Sequence, residues 1–227
     1  MRPDEAAAPI AAAPTAAAPA TANPIAAAPI AAKPIAAILG GPGTGAADRL
    51  AAFARRRQAE GVPLAGVILP PDDGSRQPGG GHHHHHGHGH GDHGGHDGCG
   101  CGGALLDLTT GEIIGIHQNL GPGSEACSLD TQRLAGACAG VEREIAAGAK
   151  LVVLARFGGQ EAERGGLMAA FQAAVSAGVP VACVVTPKAM PAWEKFAGEL
   201  AVLLPAEAEA LEVWWRAHAE RHGLVAA

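Results

Sequence analysis

The stretch Lys33–Arg57, KPIAAILGGPGTGAADRLAAFARRR, limits the chain's possible folds more than any other. A short apolar run, Ile35–Leu39, enters a cluster of glycines, and the glycines enter a segment with Leu50 and Phe53 at helical spacing. Strand, tight turn and helix in that order is the layout of a phosphate-binding loop, written G-x-x-x-x-G-K-[ST]. Gly40 and Gly45 occupy its two glycine positions. Ala46 stands where a lysine would reach the β- and γ-phosphates, and Ala47 where a hydroxyl would hold Mg²⁺. The loop keeps its shape and lacks its cationic chemistry. Gly40, Gly41, Gly43, Thr44 and Gly45 are therefore candidates for a backbone cradle that holds an anion or nucleotide. A tight turn with no ligand is the alternative, because a degenerate loop is a weak motif.

The rest of the chain alternates strands and helices. Asp48–Glu60 is predicted as the first helix, with Arg55–Arg57 outward and Gly61 as its stop, and Leu64–Leu69 as a second buried strand. This is a βαβ unit and predicts a parallel sheet. ALLDL and EIIGIHQ around Thr109–Gly111 read as a hairpin. Thr131–Ala147 reads as a helix with Asp130 at its N-cap. Leu151–Leu154 is a continuous apolar run, as central parallel strands are. Leu167–Ala177, Pro191–Gly198 and Ala206–His222 are predicted helices, and Val181–Val185 and Leu200–Leu204 predicted strands. The expected fold is α/β: a three-layer, phosphate-loop-like, mostly parallel sheet with helices on both faces, plus a β-hairpin. Residues 34–222 form that domain. Residues 1–33, an Ala/Pro-rich tail with a P-I-A-A-A theme, are expected to be disordered, and 70–103 to be a flexible insertion.

In a doubly wound sheet, ligands sit outside the carboxyl ends of the strands. Three glycine-rich loops should meet there: Gly40–Gly45, Asn119–Ser128 and Arg156–Arg164. Their candidate anion- or nucleotide-binding residues add Gly121, Gly123, Ser124, Arg156, Gln160, Glu161 and Arg164 to the first loop. The arginines offer bidentate anion contacts; a solvated pairing with Glu161 and Glu163 is the alternative. Leu151–Leu154 also stands where a nucleotidase would place an acidic residue for Mg²⁺ at the strand end, and here Ala155 and Arg156 follow. No residue is assigned a catalytic role.

Nine of the 12 histidines crowd into the insertion. His82, His83, His84, His85, His86, His88, His90, His93 and His96, with Cys99 and Cys101, form the candidate metal set. Imidazole and thiolate suit zinc or nickel, and the irregular spacing suggests several loosely held divalent ions instead of one tetrahedral site. A spacer with no physiological ion is the alternative. The chain is acidic overall, at -6 with histidines neutral, which argues against nucleic acid as a partner. Five cysteines in apolar or glycine-rich settings favour a reduced, cytoplasmic protein. No apolar run is long enough to span a membrane, and no signal peptide is expected.

Two segments, HQNLGPGSEACSLD (His117–Asp130) and RFGGQEAERGGL (Arg156–Leu167), carry a family likeness. With the rest of the chain from Pro34 onward, they resemble a bacterial family of uncharacterised nucleoside-triphosphatase-like domains, often encoded near molybdate-transport genes. The resemblance implies a P-loop-derived α/β fold and a link to molybdenum handling. Relatives usually carry Asn where this chain has Ala155, and Lys where it has Gly159. The histidine-rich insertion is similar to those of nickel metallochaperone GTPases, which keep an intact phosphate loop.

Three functions follow as expectations. The first is a non-catalytic or weakly catalytic nucleotide- or oxyanion-binding accessory protein in metal or molybdate handling, partnering molybdate-transport or metalloenzyme-maturation proteins. The second is a metallochaperone or metal buffer acting through the histidines. The third is an atypical NTPase.

Overall fold

Alanine-rich strands with single large apolar residues, such as Ile35–Leu39, bury both faces and leave room for helices on each side. The structure, a computed structural model, describes residues 33–71, 103–118, 128–205 and 207–224. In chain order the elements are β1 (Ile35–Leu39), α1 (Ala46–Ala59), β2 (Leu64–Ile68), β3 (Ala104–Asp107), β4 (Ile113–Gly115), β5 (His117–Gln118) and β6 (Ser128–Leu129). Then come α2 (Thr131–Ala146), β7 (Leu151–Phe157), α3 (Gly159–Ala162), α4 (Met168–Ser176), β8 (Val181–Val185), α5 (Met190–Ala197), β9 (Ala201–Leu204) and α6 (Ala208–Arg221).

Seven strands form one sheet in the order β4-β3-β2-β7-β8-β1-β9. Strands β2, β7, β8, β1 and β9 are parallel neighbours, and β3 and β4 complete the edge as an antiparallel hairpin. β5 and β6 pair separately. The fold is thus α/β with a mostly parallel sheet.

Helices cover both faces. On one, α2, α4 and α5 bury Leu134, Cys138, Val141, Phe171 and Trp193 against Ile35, Val152 and Val181. On the other, α1 and α6 bury Leu50, Phe53, Leu211 and Trp214 against Ala36, Ile38 and Val153. Each fully buried side chain of this size contributes roughly 1.5–3 kcal/mol. Cys138 and Cys183 belong to this core, and burial pushes both thiols up from their ordinary range, as for inert structural cysteines. No helix among the described residues is long and apolar enough to cross a membrane.

Two sequence expectations are corrected. Arg57 does not point outward with Arg55. It is 4% exposed, lies 5.2 Å over the Phe53 ring, and pairs with Glu60 at 2.7 Å and Glu212 at 3.0 Å. Helix α6 covers that face of α1 and supplies Glu212, which is why a charged position becomes interior. The second correction concerns β7, which does not end at Leu154 but runs on through Ala155 and Arg156 to Phe157.

That extension carries a bulge. Leu154 pairs with Cys183 and Phe157 with Val185, so three steps on β7 match two on β8. The side-chain alternation breaks there: Val152 and Leu154 face the α2 side, and so does Ala155. Phe157 then anchors an aromatic cluster with Phe171, Trp193 and Phe196, at centroid distances of 5.1–5.7 Å from it.

Candidate functional site

The first loop is set by β1 and β8. The Gly40 N–H donates to Val185 O at 2.9 Å, which ties the loop to the end of the neighbouring strand. A Cβ on Gly40 would overlap the Ala46 methyl and lie 2.8 Å from Thr44 Oγ1. Only glycine permits that approach. Ala46, at the lysine position, is 1% exposed and packs beneath the loop.

Helix α1 starts with Gly45 in the left-handed region (φ 70°) and no side-chain cap. The Arg49 N–H is the first to bond back, to Gly45 O at 3.1 Å. The amides of Ala46, Ala47 and Asp48 belong to the first turn, whose donors have no intrahelical acceptor. The Thr44 hydroxyl takes one of them. Its Oγ1 accepts from Ala46 N–H at 3.4 Å and from Gly41 N–H at 3.2 Å, and it donates to Gly41 O at 2.8 Å.

A crevice of about 280 Å³ opens over this loop. Gly40–Gly43, Gly45, Ala47 and Asp48 line one side; Leu69, Ala155, Arg156, Val184 and Thr186 line the other. It lies at the carboxyl ends of β1, β2, β7 and β8, at the place where ligands bind in such sheets. The bulge in β7 is what brings Arg156 here, since bulges re-aim side chains.

The predicted residues therefore separate. Gly40, Gly41, Gly43, Gly45 and Arg156 come together on the crevice, with Thr44 inside the loop. Gln160 and Glu161 instead line an adjoining cavity of about 140 Å³ that shares Ala155, Arg156 and Thr186. Glu161 is 6% exposed, and its carboxylate accepts from Gly158 N–H and from Leu167 N–H, each at 2.9 Å. It braces its own loop and leaves little of its charge for a ligand. Arg164 is away from the crevice, on a groove of about 350 Å³ with Lys195, Gln172 and Phe196, which Glu161 also borders. Gly121, Gly123 and Ser124, and the eleven-residue histidine and cysteine set from His82 to Cys101, lie outside the described residues.

Sequence reasoning missed Thr186 and Asp48. Thr186 follows β8 and lines both cavities, its N–H bonded to Phe157 O at 3.1 Å. The signal was available: a hydroxyl residue at the carboxyl end of a parallel strand. Asp48 brings a carboxylate to the crevice in the first turn of α1.

The donor set does not suit a Mg²⁺-bound triphosphate. Ala47 replaces the coordinating hydroxyl, and Ala155, 3% exposed, stands in the bulged part of β7 beside the crevice, where an acid would be needed. Among the described residues no group of three or more His, Cys, Asp or Glu is placed to hold a metal.

Comparison with known proteins gives two matches. The chain is 41% identical over 122 residues to the "Molybdenum import ATP-binding protein ModC 2" of Bradyrhizobium diazoefficiens. That alignment covers 53% of this chain but only 14% of the relative's length. No solved structure matches it significantly. Residues 35–214, which include the sheet, the first loop and the bulged end of β7, match the family described as "Protein of unknown function (DUF2478)", and the chain belongs to that family.

Proposed function

We propose that the crevice binds a phosphate-type oxyanion, free or as part of a nucleotide, without rapid turnover, and that the protein serves as an accessory in molybdate handling. One observation carries this reading: loop amides, Arg156 and Thr186 converge on a single cleft at the carboxyl ends of four strands. Amides at a helix start favour negative charge, and a guanidinium adds charge-assisted bonds. The relative's name, which pairs ATP binding with molybdenum import, supports the nucleotide and molybdate parts. A cytoplasmic setting beside a transport protein fits both.

Thermal shift and calorimetry with phosphate, molybdate, ADP and ATP test the proposal. At least one ligand should raise the melting temperature, less so at high salt, because exposed charge is screened within about 8–10 Å at ordinary ionic strength. Gly43 has φ 74° and open space around it. Gly43→Asp therefore places a carboxylate in the cradle without a clash, at roughly 1–2 kcal/mol of left-handed strain, and it should abolish the response, whereas the equally strained but neutral Gly43→Asn should keep it. No stabilisation of the wild type by any ligand would remove the proposal. ATP and GTP hydrolysis should stay far below the 1–100 s⁻¹ typical of kinases, since Ala46 and Ala47 stand at the loop positions of the lysine and the Mg²⁺-holding hydroxyl.

The histidine-rich segment adds a second part to the proposal. Residues His82–Cys101 would bind several zinc or nickel ions, and a partner in metalloenzyme maturation or molybdate transport would receive or sense them. Calorimetric stoichiometry should collapse when residues 79–103 are deleted. It should also weaken as pH falls through about 6.5, because protonated imidazole cannot ligate. An unchanged stoichiometry after deletion would rule this part out.

A further inference from the structure

Resting on the reading that the crevice binds an oxyanion, we infer that the Thr44 hydroxyl is a resident stand-in for an anion oxygen, and that it makes the crevice a site for one tetrahedral oxyanion instead of a polyphosphate chain. The observation is the placement of Oγ1. It sits inside the loop, 3.2 Å from Gly41 N and 3.4 Å from Ala46 N, and is anchored by its own donation to Gly41 O at 2.8 Å. A polyphosphate needs that inner seat, because a glycine loop of this kind holds it by wrapping successive amides around one phosphate group. Gly40 leaves room for the hydroxyl there, since an added Cβ would lie 2.8 Å from Oγ1.

Among the described residues, the outer part of the crevice is open. Arg156, Thr186 and the first-turn amides of Ala47 and Asp48 border it, and together they suit a single phosphate or molybdate. Asp48 acts in the same direction as Thr44. Its carboxylate lines the crevice, and its repulsion grows with the charge of the ligand. A polyphosphate therefore meets both an occupied seat and the larger electrostatic cost.

The test compares orthophosphate, molybdate, pyrophosphate and ATP without added metal, by calorimetry on the full chain and two kinds of variant. Thr44→Ser keeps the hydroxyl; Thr44→Ala and Thr44→Gly remove it and empty the seat, with the alanine variant covering any folding defect of the glycine one. Wild type and Thr44→Ser should bind orthophosphate or molybdate at least as tightly as pyrophosphate or ATP. Loss of the hydroxyl should raise pyrophosphate and ATP affinity about threefold to tenfold, the worth of one net hydrogen bond, and should change orthophosphate less than twofold. Pyrophosphate binding tenfold tighter than orthophosphate in the wild type would overturn the inference and leave the oxyanion reading intact. An unchanged pyrophosphate-to-orthophosphate ratio in both hydroxyl-less variants would do the same. Absence of binding for all four probes in every variant would remove the oxyanion reading and this inference together.

Discussion

The loops at residues 40–45 and 158–166 are both glycine-rich, both follow a parallel strand, and both lie beside Arg156 and Thr186. They are held differently. The first is braced by an exposed neutral hydroxyl, that of Thr44, whose three bonds are 2.8–3.4 Å long. The second is braced by a buried carboxylate, that of Glu161, which takes two amides at 2.9 Å. The first brace is open to solvent, whereas the second is only 6% exposed. A loop braced by a neutral hydroxyl leaves the positive field of its amides to an anion bound beside it. A loop whose brace is buried serves as scaffold, and its glycines are there for geometry.

The contrast is open to direct attack. Glu161→Ala should have the largest effect, about 3–5 kcal/mol of stability, because two buried amides lose their acceptor at once; a shift in denaturant midpoint measures it, and a loss below about 1 kcal/mol would erase the distinction between the loops. Acid provides a control located outside both. Burial, and then the charges of His222 and Arg221, lower the His218 pKa to about 4, against about 6.5 in an unfolded chain. The unfolded state then binds the extra proton, so stability is complete above pH 6.5 and falls by about 2–3 kcal/mol as pH drops to 4. His218→Phe should flatten that slope, while the order of the loop variants stays the same. Gly166→Ala comes next, at about 2 kcal/mol by thermal melting, because φ is 59° and the new Cβ would strike the Glu161 carboxylate. Thr44→Val should cost least, under about 1 kcal/mol, since the amides it releases can bond water.

Much of the fold was legible because its signals are local. Strand β1, the glycine turn and α1 follow from apolar periodicity and glycine placement, and Asp130 caps α2 as predicted, accepting from Arg133 N–H at 3.0 Å. The three-layer arrangement follows from continuous apolar strands alternating with amphipathic helices. What escaped depended on distant partners. Arg57 looked like the outer end of an arginine run, and only α6, more than 150 residues later, turns it inward. Glu161 and Arg164, three residues apart, looked like one charged patch. The short α3 helix commits the Glu161 carboxylate to the amides of its own loop, and Arg164, beyond the helix, lines a groove away from the crevice. Thr186 was missed because a lone threonine after a strand carries no pattern until the strand order places it opposite the first loop.

The strand order has one more consequence, for how the molecule assembles. β1 leads the described sheet in sequence, yet its neighbours are β8 and β9, with Ile35 beside Val181 and Ala201. Loop closure over such a separation is slow, and parallel pairing needs it completed first. The glycine loop is therefore made early by synthesis and late by folding: a nascent chain that has reached only β7 already contains Gly40–Gly45 but offers that loop no flanking strand. Pulse-labelled hydrogen exchange during refolding should find the β2–β7 amides protected before those of β1. Ligand-induced stabilisation, where it occurs, should then act on the last step of folding.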